Sequence, residues 1–174
     1  KILAKDFYYG LTELDREKFN IEIIEFEDRK NLLNYIFKLV DKIFSRFLSL
    51  PFYTSKICTI KNLKLLFKSD YIVLINEGVG FSTLPMLMIL KLFKINNVSL
   101  FAMGLYSKKI KYKKATFLHY FFIRFLNIHL NNLFFLGGEE FKKAKKIHKT
   151  QYKKFHYLPF AIDLKFWEAS NDFD

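Results

Sequence analysis

Apolar residues along the chain recur with two periods, and each change of period marks a change of element. Residues 1–4 (KILA) and 21–27 (IEIIEFE) read as strands. From 32 to 48 the rhythm lengthens: Leu32, Leu33, Ile36, Phe37, Val40, Ile43, Phe44, Phe47 and Leu48 recur at steps of three and four. Lys38, Asp41, Lys42, Ser45 and Arg46 stand between them. This spacing predicts a helix with a core-facing stripe, ended by Pro51. A short helix is expected over 63–67, and an unbroken apolar run at 71–75 (YIVLI) predicts a buried strand.

Residues 76–80 (NEGVG) read as the loop after that strand. Ser82 or Thr83 is the expected cap of the next helix, with Pro85 in its first turn and an end near Lys94. Asn96 and Asn97 turn the chain into a strand at 98–103 (VSLFAM). A basic loop over 105–114 then leads to an aromatic helix over 116–129. A strand at 133–136 ends in Gly137-Gly138. The helix after it carries Glu139 and Glu140 first and lysines later, in the order its dipole favours. Residues 155–158 form the last strand. Such alternation predicts an α/β domain: a Rossmann-like, doubly wound, mostly parallel sheet with helices on both faces.

Composition narrows the class. With 51% hydrophobic and 19% aromatic residues among 174, the chain can bury a core and is not a disordered one. The net charge of +12 is uneven, since residues 104–158 hold 13 of the 29 Lys/Arg and only two of the 17 acids. A basic half of this kind attracts polyanions, among them nucleic acid, anionic headgroups and phosphorylated ligands. A solvated lysine face is the simpler explanation. Cys58 is the single cysteine and is read as a structural thiol, with no internal disulfide. The most apolar run, 79–93, contains Pro85 and Lys91 and is too short for a membrane span. No Cys/His cluster or close acidic pair suggests a metal.

Five stretches in order carry a family likeness: YYGLTEL (8–14), SDYIVLINE (69–77), VSLFAMG (98–104), LFFLGGEEFKKAKKI (133–147) and YLPFAIDLKFW (157–167). Together they resemble the N-terminal domain of GT-B glycosyltransferases, the retaining sugar-nucleotide enzymes. Pro159, Asp163 and Trp167 keep the spacing of that family's crossover into its second domain, with Ala161 where a glycine is usual. The resemblance implies residues 1–158 as an acceptor-side domain and 159–174 as a crossover segment, with Pro159 and Asp163 interdomain. The donor domain would follow Asp174. It also implies metal-independent transfer from a nucleotide-sugar co-substrate to a glycan or lipid-linked acceptor, with no other cofactor. The implied setting is cytoplasmic, at the inner face of a membrane. Many relatives carry a histidine in the loop that reads Met103-Gly104-Leu105-Tyr106 here.

In an open α/β sheet, ligands gather outside the carboxyl ends of the strands. Candidate residues therefore come from the loops at 6–10, 76–80 and 104–109. Glu77 is the expected group to orient or deprotonate an acceptor hydroxyl, with backbone bonding or a solvated surface charge as its structural alternatives. Asp6 is a lesser carboxylate candidate. Gly10, Gly78 and Gly104 would let backbone approach a ligand. Tyr8, Tyr9 and Tyr106 would stack on sugar rings, or pack at a sheet edge. Ser107, Lys108 and Lys109 would meet a phosphate. The basic and aromatic mix over 105–126 suggests an anionic membrane surface as a partner. The competing reading is a basic Rossmann-like module that binds nucleic acid or another polyanion without catalysis, although no RNA-binding motif is present. A nucleotide-dependent oxidoreductase lacks its G-x-G-x-x-G fingerprint.

Overall fold

The computed structural model describes residues 14–15, 17–24, 26–28, 32–93, 97–106 and 115–159. The expected strand at 1–4 lies outside them, as do the side chains of Leu33, Phe47 and Leu48. The chain forms two compact units, Ile24–Pro159 and a second made of Lys1–Ile23 with Phe160–Asp174. In the described part of the second unit, the Glu17 amide donates to Asp15 Oδ1 and Lys18 pairs with Asp15 at 3.1 Å.

The larger unit runs α1 (Leu32–Leu48), α2 (Thr54–Ile57), α3 (Ile60–Lys68), β1 (Tyr71–Leu74), α4 (Glu77–Phe93) and β2 (Asn97–Ala102). It continues with α5 (Ala115–His129), β3 (Asn132–Phe135), α6 (Gly138–Ile147), a 3₁₀ turn (Tyr152–Lys154) and β4 (Phe155–Tyr157). The strands form one parallel sheet in the order β1-β2-β3-β4. This is the expected α/β class, a Rossmann-like parallel sheet flanked by helices, and the described strands wind in one direction.

Side chains alternate across the sheet. Ile72, Leu74, Leu100, Ala102, Leu133 and Phe135 point to the face covered by helices and are buried. On that face Gly80 of α4 sits against Leu100 of β2 and Leu126 of α5. Phe141 of α6 packs on Phe135 and Tyr157. The opposite face carries a polar crosslink over three strands. The hydroxyls of Tyr71 and Ser99 lie 2.7 Å apart, and Asn132 Nδ2 donates to Ser99 Oγ at 3.2 Å.

Helix α4 starts at Glu77, more than a turn earlier than its sequence suggests. Asn76 is the actual cap, accepting from the Val79 amide at 2.9 Å. Ser82 and Thr83 therefore stand inside the helix, where their hydroxyls donate to the carbonyls of Gly78 and Val79. Pro85 is the ninth helical residue rather than a first-turn one. The Ser82 hydroxyl oxygen also accepts from the Tyr53 amide at 2.6 Å, and Cys58 Sγ donates to the Ser82 carbonyl at 3.1 Å. These bonds to a segment outside the helix favour Ser82 in the interior over a capping role.

Two further segments differ from their expected form. Residues 21–24 and 26–27 form no strand. The Glu27 amide donates to the Lys56 carbonyl in α2, and Ile23 and Phe26 remain exposed. Nor does the whole stripe of α1 face the core. Phe37, Val40 and Phe44 are half-buried, whereas Leu32, Ile36 and Ile43 are exposed. The reason is Asp41, a buried carboxylate that accepts from the amides of Thr54 at 3.0 Å and Ser55 at 2.9 Å. Those amides open α2 and have no partner within it. Satisfying them turns Asp41 inward and rolls part of the apolar stripe outward.

Removal of this carboxylate leaves two buried amides without an acceptor. Asp41→Ala is expected to lower stability by about 3 kcal/mol in urea denaturation, while Lys42→Ala on the exposed side changes it by less than about 0.5 kcal/mol.

Candidate functional site

The carboxyl ends of β1, β2 and β3 deliver three segments to one edge of the sheet: Ile75-Asn76, Met103 to Tyr106, and Leu136-Gly137. The middle segment is held from both sides. Glu77, first residue of α4, is only 6% exposed and its Oε2 accepts from the Met103 amide at 3.2 Å. From α6, Glu140 accepts from the Gly104 amide through Oε2 at 3.0 Å and from the Tyr106 amide through Oε1 at 2.8 Å. Lys143, one turn further on, donates to the Tyr106 carbonyl at 2.5 Å. Both carboxylates sit in the first turn of a helix, where the dipole favours negative charge.

Gly104 has φ of 114°, a left-handed conformation that a side chain would strain by about 1–2 kcal/mol. It therefore permits the turn that aims two amides at one carboxylate. Glu77 is placed as a buried positioning group for this loop, the backbone-bonding alternative in its sequence reading.

Tyr106 does not offer a face to a sugar ring. It is 2% exposed, packed on Phe135 and edge-on to His148, and its hydroxyl accepts from Asn127 Nδ2 at 3.4 Å. Burial pushes its phenol well above the ordinary range. The turn at Gly104 swings this side chain under the loop, so the ring becomes the loop's floor. Gly78 is likewise no opening for a ligand. A Cβ there would lie 3.0 Å from Tyr53 Cε2 and 3.1 Å from both Pro51 Cγ and Asn76 Oδ1, so the space is already filled. Pro159 is exposed and follows β4. Asp6, Tyr8, Tyr9, Gly10, Ser107, Lys108, Lys109 and Asp163 lie outside the described residues.

Sequence reasoning missed Glu140, because its place in a first turn was explained by the helix dipole alone. The available signal was its position after a strand and a Gly-Gly pair, at the edge where ligands gather. It missed Asn127 as well, and reads His148 only as a packed or solvated histidine. Both are buried beneath the loop, and among the described residues Asn127 Oδ1 and His148 Nε2 have no hydrogen-bond partner. Among the same residues, no group of three His, Cys, Asp or Glu is placed to hold a metal ion, and no helix is long and apolar enough to cross a membrane. Compared with known proteins, the chain matches no protein-family profile, no curated protein and no solved structure.

Two outcomes follow from this geometry. Glu140→Gln leaves one of the two loop amides facing an amide NH₂ instead of an oxygen. Hydrogen exchange at Gly104 and Tyr106 is expected to accelerate by about tenfold, with exchange in β2 unchanged.

The second concerns His148. Burial, and secondarily the charge of Arg124, hold its imidazole below the ordinary value. The unfolded chain therefore takes up a proton at higher pH than the folded one. Stability is full above about pH 6.5 and is lost as pH falls through that value toward the folded pKa. Thermal unfolding followed from about pH 7.5 to about pH 5 should decline less steeply in His148→Phe than in the wild type.

Proposed function

We propose that the larger unit is the acceptor-side domain of a sugar-nucleotide glycosyltransferase, with its ligand surface on the loop Met103 to Tyr106. The observation that carries the reading is the double clamp on this loop by Glu77 and Glu140. An acceptor hydroxyl must be presented in a fixed position to an incoming donor, and a loop with restrained amides supplies that at little entropic cost. The loop lies at the carboxyl edge of a parallel sheet, beside the amino ends of α4 and α6, where such domains bind ligands. The order of the five sequence stretches supports the same class.

Under this reading Glu77 and Glu140 are positioning residues, and Met103 and Gly104 line the acceptor path. A nucleotide-sugar donor would be carried by a second domain across a cleft, at the cytoplasmic face of a membrane. The acceptor would be a glycan or a lipid-linked saccharide.

The polyanion-binding alternative finds less support in the lysines. Lys91 donates to the Ile128 carbonyl at 2.9 Å, and Lys154 to those of Leu130 at 2.7 Å and Asn127 at 3.4 Å, so both cap the carboxyl end of α5. Lys142 pairs with Glu139, Lys143 holds the loop, and Lys145 lies over the rings of Phe141 and Tyr152. These five lysines are thus engaged within the domain.

The test is amide-resolved NMR titration of the chain with oligosaccharides, a lipid-diphosphate saccharide and single-stranded oligonucleotides. The expected result is that saccharides shift Met103 to Tyr106 and that Glu140→Gln weakens this response by about threefold or more. A response to oligonucleotides alone, centred on α6, would replace the proposal with the polyanion reading.

A further inference from the structure

Helix α1 has two apolar faces. The inner one carries Phe37 and Phe44 beside the buried Asn34 and Asp41, and Phe44 packs on Phe122 of α5 at 5.4 Å. The outer one consists of Leu32, Tyr35, Ile36, Leu39 and Ile43, which are between 47% (Ile43) and 80% (Leu32) exposed. At 3.6 residues per turn these five fall within an arc of about 100°, centred nearly opposite Asp41. They make an unbroken stripe along most of a helix about 26 Å long. A scatter of single exposed apolar residues needs no explanation, but a continuous stripe does.

The charges around the stripe are of one sign. Lys38 and Lys42 lie along one flank and Arg46 near its end, all exposed, while the helix's sole acid, Asp41, is turned inward. We infer that the outer face of α1 is a membrane-docking surface, which lies in the interface of an anionic bilayer with its apolar stripe in the acyl boundary and Lys38, Lys42 and Arg46 at the headgroups.

Three physical points support this occupant. A long apolar stripe flanked by cations is the pattern of interfacial helices, whose lysine and arginine stems reach to the phosphates while their carbons stay in the apolar layer. Tyr35 suits the interface through its apolar ring and polar tip. A second copy of the chain is disfavoured, because it would present the same cations and no exposed acid on this helix. The surface differs from the basic segment at 105–126 suggested by the sequence. The inference stands on α1 alone and is independent of the sugar-transfer reading.

Co-sedimentation of the intact 174-residue chain with vesicles tests it. Binding is expected to vesicles of phosphatidylcholine mixed with phosphatidylglycerol, and to fall steeply with added salt. The pair Ile36→Ser and Leu39→Ser should lower partitioning by about tenfold or more. Exchanging Lys38, Lys42 and Arg46 for glutamine should lower it by about fivefold for each charge removed at low salt. A direct readout is Tyr35→Trp in a Trp167→Phe background, whose indole emission should shift to the blue with the anionic vesicles. Vesicle binding that is equal in all variants, or an indole emission that the vesicles leave unshifted, would overturn the inference. So would a dimer that the serine pair abolishes, in a chain that ignores vesicles.

Discussion

The domain depends on the close approach of α4 to what surrounds it. Gly80 brings the helix onto Leu100 and Leu126, and Gly78 lets Tyr53 and Pro51 close over its first turn. With no side chain at either position, the helix axis can sit near the sheet, and the first turns can then bond to neighbours on two sides. Glu77 reaches the loop after β2, and Ser82 reaches the segment before α2. Larger residues at 78 or 80 would push the helix outward and lengthen those bonds. Helix packing and loop order are thus one constraint rather than two.

Buried polar groups then set orientations that apolar burial alone would leave open. An apolar stripe on a helix can meet a core over a range of rotations at similar cost. Asp41 removes that freedom in α1, because two amides at the start of α2 need an acceptor. Glu140 does the same for the loop at Gly104. In both cases a carboxylate joins elements that are distant in sequence. The side effect in α1 is an exposed apolar stripe, which gives the proposed docking face its physical origin.

The basic character of the chain also takes a different meaning in three dimensions. Lys91 and Lys154 come from separate elements and converge on the last carbonyls of α5, where orphan acceptors and the negative end of the dipole gather. Burial lowers the pKa of Lys154, and the nearby charge of Lys91 adds to the effect. Positive charge that reads as a polyanion surface is here partly helix capping.

The sequence by itself determined the α/β class, the parallel character of the sheet and most element positions. Unbroken apolar runs such as 71–75 and three-four spacing such as 32–48 are local signals of burial and period. It also singled out the carboxyl edge, where parallel sheets of this class gather ligands. Only the tertiary structure decided what each residue at that edge does. Tyr106 became a floor, Gly78 a contact for Tyr53, and Glu140 a clamp, because each role is set by a partner far away in the chain. The start of α4 is set by a distant partner too. Ser82 is as good a cap as Asn76 by local propensity, and the choice fell to a hydrogen bond with Tyr53 that no local pattern contains.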